Sequence, residues 1–164
     1  MGWSPDNTRL VVEVQRGGLP YSPQLSPADA NRNPVIAILD IPSGKVQQLG
    51  EGFNPTWSPD GQWIAYFEPS GAACLVVHPD GTGLRVVKRF KRSPLFFIAE
   101  TSFEWRGPVW SPDSRQILFT TSASEPYVDV RLLDLPTGRT TTKLKKAFPI
   151  YGWVAVPSTR LKSR

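Results

Sequence analysis

The tetrapeptide Trp-Ser-Pro-Asp occurs three times, within Gly2-Trp3-Ser4-Pro5-Asp6-Asn7, Thr56-Trp57-Ser58-Pro59-Asp60-Gly61 and Val109-Trp110-Ser111-Pro112-Asp113-Ser114, with its tryptophans 54 and 53 residues apart. A fixed period of this kind marks a repeat architecture, in which each unit buries its apolar face against the next. Each motif is followed by an apolar run of strand character, at 10–14, 63–67 and 117–121. A second run and a second turn come next: 35–40 then Pro42-Ser43-Gly44-Lys45, 75–78 then Pro79-Asp80-Gly81, and 128–134 then Pro136-Thr137-Gly138-Arg139. Each copy therefore reads as strand, tight turn, strand, variable loop, strand, tight turn, strand, with Pro and Gly as punctuation. Helical periodicity is nowhere sustained.

The repeated turn has a local logic. Proline presets φ at about −65°, aspartate accepts hydrogen bonds from nearby main-chain NH groups, and the residue after it must tolerate positive φ. Gly61 suits that place best and Asn7 is the usual second choice, whereas Ser114 is poorer and predicts a somewhat different turn in the third copy. The tryptophans supply large apolar surfaces to pack between neighbouring units. Trp3, Pro5, Asp6, Trp57, Pro59, Asp60, Gly61, Trp110, Pro112 and Asp113 are accordingly read as structural.

Within the second copy, Trp57-Ser58-Pro59-Asp60-Gly61-Gln62-Trp63-Ile64-Ala65-Tyr66 resembles throughout the TolB-like propeller repeat, a WD40-like (PD40) repeat also found in the propellers of prolyl oligopeptidase and tricorn-type proteases. The other two copies depart from it at the glycine. The resemblance covers nearly the whole chain and implies an all-β fold, a β-propeller with three four-stranded blades at about 1–52, 53–106 and 107–148, and a closing strand at about 149–157. Fold does not fix activity, and propellers of this family mostly serve as binding scaffolds.

Propellers carry roughly four to eight blades, so three should not close. Tyr151-Gly152-Trp153-Val154-Ala155-Val156 resembles the opening strand of a further copy but lacks a Ser-Pro-Asp turn. Tyr151, Trp153, Val154 and Val156 are expected to complete the first blade of a second chain. Two chains would form a six-bladed ring with two-fold symmetry and no open strand edge. The competing expectation is a half-propeller fragment, natural or engineered.

In such a blade the short turns share one rim, and the variable segments 15–33, 88–107 and 122–127 share the other, where binding residues gather. The cluster Lys88-Arg89-Phe90-Lys91-Arg92, followed by aromatic residues, suits an acidic protein or peptide; nucleic acid is the weaker expectation. Tyr21, Arg89, Arg92, Phe97 and Trp105 are the candidate contacts. The formal charge of +5 agrees with acidic partners but names none.

Catalytic chemistry has little to work with. His78 is the sole histidine and occupies the turn place held by Asp40 and Asp134 in the other copies. No Gly-x-Ser-x-Gly elbow occurs, so the expectation is a non-enzymatic scaffold, with an enzyme-associated propeller module as the alternative. Spacing for a metal site is missing and no cofactor is expected. Cys74, the only cysteine, rules out an internal disulfide and reads as a small buried residue. No apolar run reaches the ~18 residues of a membrane span, and the sequence assigns no compartment.

Overall fold

The computed structural model describes residues 1–14, 34–90, 107–124 and 127–147. They form three four-stranded antiparallel sheets, each in sequence order. The first comprises β1 (Gly2–Trp3), β2 (Arg9–Val14), β3 (Val35–Asp40) and β4 (Val46–Glu51). The second comprises β5 (Phe53–Trp57), β6 (Ile64–Phe67), β7 (Ala73–Val77) and β8 (Arg85–Arg89). The third comprises β9 (Val109–Trp110), β10 (Gln116–Ser124), β11 (Tyr127–Asp134) and β12 (Thr140–Ala147). There is no helix among the described residues.

The period of two along each strand decides what every face buries. In the first sheet the pairs Arg9↔Asp40, Val11↔Ile38 and Glu13↔Ile36 put one set of side chains on one face, and Trp3↔Leu10, Leu10↔Leu39 and Val12↔Ala37 put the alternate set on the other. Val11, Ile36 and Ile38 pack against Trp57, Ile64, Tyr66 and Val77 of the second sheet. The other face of that sheet repeats the arrangement, Ala65 and Val76 meeting Trp110 and Ile117 of the third. Each sheet is thus a blade, and the tryptophans of the second and third are buried by the blade before them. Trp57 is 8% exposed and Trp110 6%, while Trp3, with no described blade before it, is 55% exposed.

Two of the three outermost strands carry cations. Arg85, Lys88 and Arg89 lie on β8, and Lys143 and Lys145 on β12. Cationic side chains on an edge strand oppose the addition of further strands.

Three details differ from the sequence reading. Ser114 makes the same turn as the other copies, with φ 58° against 58° at Asn7 and 73° at Gly61. Its conformation is held from outside, because Ser114 Oγ accepts the main-chain NH of Asp60 in the preceding blade at 3.0 Å. Lys88 and Arg89 belong to β8, paired with Cys74 and Ala73, so the long segment that follows begins two residues later, at 90. The third blade's segment 122–127 is largely strand, since β10 runs to Ser124 and β11 starts at Tyr127.

Candidate functional site: two rims and an inner groove

The rim of short turns is built three times from one circuit. Main-chain bonds run from Ser4 N to Arg9 O, Ser58 N to Trp63 O and Ser111 N to Gln116 O, and from Asn7 N, Gly61 N and Ser114 N back to the serine carbonyls. The serine hydroxyl donates to the aspartate (Ser4 to Asp6 2.5 Å, Ser58 to Asp60 2.6 Å, Ser111 to Asp113 2.5 Å). It also accepts the NH of the residue entering the next strand, at 2.9 Å in all three copies. The three serines are buried. Burying a hydroxyl is favourable only when it is paired, which makes serine as necessary to this turn as proline or aspartate. The sequence reading left Ser4, Ser58 and Ser111 out, although their recurrence in every copy was the signal.

The same bonds set the acidity of the turn carboxylates. The Ser4 hydroxyl, then the Thr8 NH and hydroxyl, lower Asp6 to about 2. Asp113 is lowered by Ser111 and the Arg115 NH. In the second turns Asp40 is lowered by Ser43, Asp134 by Thr137 and Asp80 by Thr82. The second blade's second turn is tighter. Gly81 NH bonds to His78 O, whereas Gly44 and Gly138 reach one residue further, to Asp40 O and Asp134 O. His78 hence has no carboxylate role there. Its ring stacks on Trp63, with centroids 3.7 Å apart, and Nδ1 lies 2.8 Å from Gln62 O. Arg85 covers the Trp63 ring at 4.9 Å.

The opposite rim is tied by aromatic and polar contacts across blades. Phe90 meets Phe67 edge-on at 6.1 Å and Phe119 at 5.1 Å. Glu13 accepts the Asn54 NH at 3.0 Å, holding Asn54 at φ 53° in a bulge of β5. Gly107 packs so closely on the Asn54 carbonyl that a Cβ there would collide with main chain. Of the candidate binding residues, Arg89 is exposed at the end of β8 on this rim. Tyr21, Arg92, Phe97 and Trp105, like the assembly residues Tyr151, Trp153, Val154 and Val156, lie outside the described residues.

Between the rims, the innermost strands β5 and β9 line an open groove of about 430 Å³ together with Met1, its walls formed by Asn54, Thr56, Trp57, Gly107 and Trp110 among others. Thr56 Oγ1 donates to Pro108 O at 2.7 Å across its floor. Cys74 is buried, and burial pushes its thiol up to about 12, which removes it from nucleophilic chemistry. Among the described residues no three His, Cys, Asp or Glu side chains gather to hold a metal ion. No helix among them is long and apolar enough to cross a membrane.

No protein-family model matches the sequence, and no curated protein matches it. Solved structures do. A protein described as TolB from Agrobacterium tumefaciens aligns with a TM-score of 0.59 at 22% identity, over 90% of this chain and 50% of that one. TolB from Acinetobacter baumannii aligns at 0.58 and 17% identity, over 88% of this chain and 32% of that one. Acylaminoacyl peptidase from Pyrococcus horikoshii gives 0.60 and 16%, over 86% and 24%. The chain spans half the length of the first of these or less. The shared turns, the sequential four-stranded sheets and these likenesses identify the fold as three blades of a TolB-like β-propeller.

Proposed function

We propose that the chain is a non-enzymatic half of a propeller, that two copies pair into a six-bladed ring with two-fold symmetry, and that the ring binds a protein or peptide on its long-connection rim. One observation carries this reading. The face of blade 1 bearing Trp3, Leu10, Val12 and Val14 is equivalent to the faces on which blades 2 and 3 bury Trp57, Ile64 and Tyr66 and Trp110, Ile117 and Phe119, yet Trp3 is 55% and Val14 46% exposed. A surface of this kind fits another blade. Arg89, exposed on the long-connection rim, supports an acidic partner there.

Light scattering on a size-exclusion column should give twice 18.2 kDa. A folded particle of single mass rejects the ring. Binding to an immobilised polyglutamate peptide should disappear in an Arg89→Glu, Arg92→Glu variant, and unchanged binding rejects the rim assignment. The second reading, a propeller module accompanying a hydrolase, draws on the likeness to acylaminoacyl peptidase. Co-purification of the chain with a peptidase or esterase activity would favour it.

A further inference from the structure

We infer that Asn7 is the docking pin of the open blade, and that its side chain seats on the turn tip of blade 3 in a second copy, accepting the main-chain NH of Asp113 there. The inference rests on the ring reading above and names the contact by which the ring closes. It starts from a regularity at both junctions inside the chain: the left-handed residue of each Trp-Ser-Pro-Asp turn abuts the turn of the blade before it. At the first junction a Cβ on Gly61 would lie 3.5 Å from Pro5 Cδ. At the second, Ser114 Oγ takes the Asp60 NH at 3.0 Å. Asn7 holds the equivalent place in blade 1, in the same left-handed conformation, and it is exposed.

The chemistry of the site selects its occupant. An asparagine carbonyl can accept the bond that the serine hydroxyl accepts. The tip of blade 3 offers the same group as the tip of blade 2, since Asp113 is fixed by Ser111 and the Arg115 NH just as Asp60 is fixed by Ser58 and the Gln62 NH. Below the turns, blade 1 presents Trp3, Leu10, Val12, Val14, Leu39 and Val46, with Glu51 the charged group that the strand register adds to this face, so two chains that each carry +5 meet here without a cation from β2, β3 or β4. Blade 3 answers with Val109, Leu118, Val130 and Leu132, the apolar kind of face with which blades 1 and 2 meet their successors. Leu118, Val130 and Leu132 are already covered within the single chain. The apolar area newly buried on pairing comes from blade 1.

Two measurements test the pin. Asn7→Gly keeps the left-handed backbone and removes only the side chain. One lost hydrogen bond weakens a contact about three- to tenfold, and a two-fold ring contains this junction twice, so the dimer dissociation constant should rise roughly ten- to a hundredfold. An unchanged constant overturns the pin. Separately, the double variant Asn7→Cys, Asp113→Cys should oxidise to a covalent dimer, and Asp60→Cys with Ser114→Cys should close a bond within one chain as the control for geometry. If the first double variant gives a particle of double mass but no disulfide between chains, this surface is overturned and the pairing stands. A single mass without that disulfide overturns both.

Discussion

The junction between blades 1 and 2 and the junction between blades 2 and 3 bury equivalent tryptophans by different means. At the second junction neutral hydrogen bonds cross the gap: Thr56 Oγ1 to Pro108 O at 2.7 Å, Trp110 Nε1 to Thr56 O at 3.3 Å and Asp60 NH to Ser114 Oγ at 3.0 Å. At the first, charged side chains take their place, with the Arg9 guanidinium 5.0 Å above the Trp57 ring and Glu13 holding the Asn54 NH. Trp57 Nε1 is buried without a partner, unlike Trp110 Nε1. The repeat therefore fixes where blades meet and how much apolar surface they bury. It leaves open which polar groups stitch them, because those groups come from positions free to vary between copies.

The largest expected contrast lies between equivalent tryptophans. Trp57→Ala should destabilise the chain by about 3–5 kcal/mol in urea unfolding, as large-to-small changes in a packed core do. Trp3→Ala, measured at a concentration where chains are single, should change stability by less than about 0.5 kcal/mol, the usual range for an exposed site. Equal losses would mean that Trp3 is covered in solution by its own chain. A smaller contrast separates two replacements of Ser114. Alanine removes the acceptor of the Asp60 NH and should cost about 1 kcal/mol. Glycine removes the same acceptor but relieves the left-handed strain, so its net cost should stay within about 0.5 kcal/mol. If the two variants melt together, the left-handed backbone at 114 carries no strain, and if the alanine variant melts with the parent chain, the bond from the preceding blade contributes nothing.

Acid should produce the least difference between junctions, since the turn carboxylates recur in every blade. Asp6, Asp40, Asp80, Asp113 and Asp134 all have folded values below the ordinary 3.8. A depressed folded value means that the unfolded chain binds protons first as pH falls. The contribution of these groups is complete above their unfolded value and is lost on going down through the folded ones, toward pH 2 for Asp6. The melting temperature should fall across that window, modestly because these groups are exposed to solvent, and a flat profile would show that the turn bonds are not maintained.

The strand pattern of each blade was legible because it is local: a turn signature, an apolar run of alternating pattern and a second turn lie within one stretch of sequence. The contacts that join blades were not. The Asp60 NH that stabilises Ser114 lies 54 residues upstream, and the Glu13 carboxylate that pins Asn54 lies 41 residues away. Ser114, taken alone, is a weak turn residue, and only a neighbouring blade makes it a good one. The exposure of Trp3 was equally hidden, because its sequence context matches that of Trp57. Of the rim residues picked for binding, Arg89 alone falls within the described residues, placed on a strand edge by pairing with Ala73.

Cys74 gives the molecule an internal clock. It lies on β7 opposite Phe67, buried, with its thiol raised to about 12. A thiol reagent can reach this atom only while the surrounding strands are parted, so its labelling rate counts those openings. No other cysteine competes for the reagent. The native chain can therefore report how often blade 2 breathes without any label being built into it.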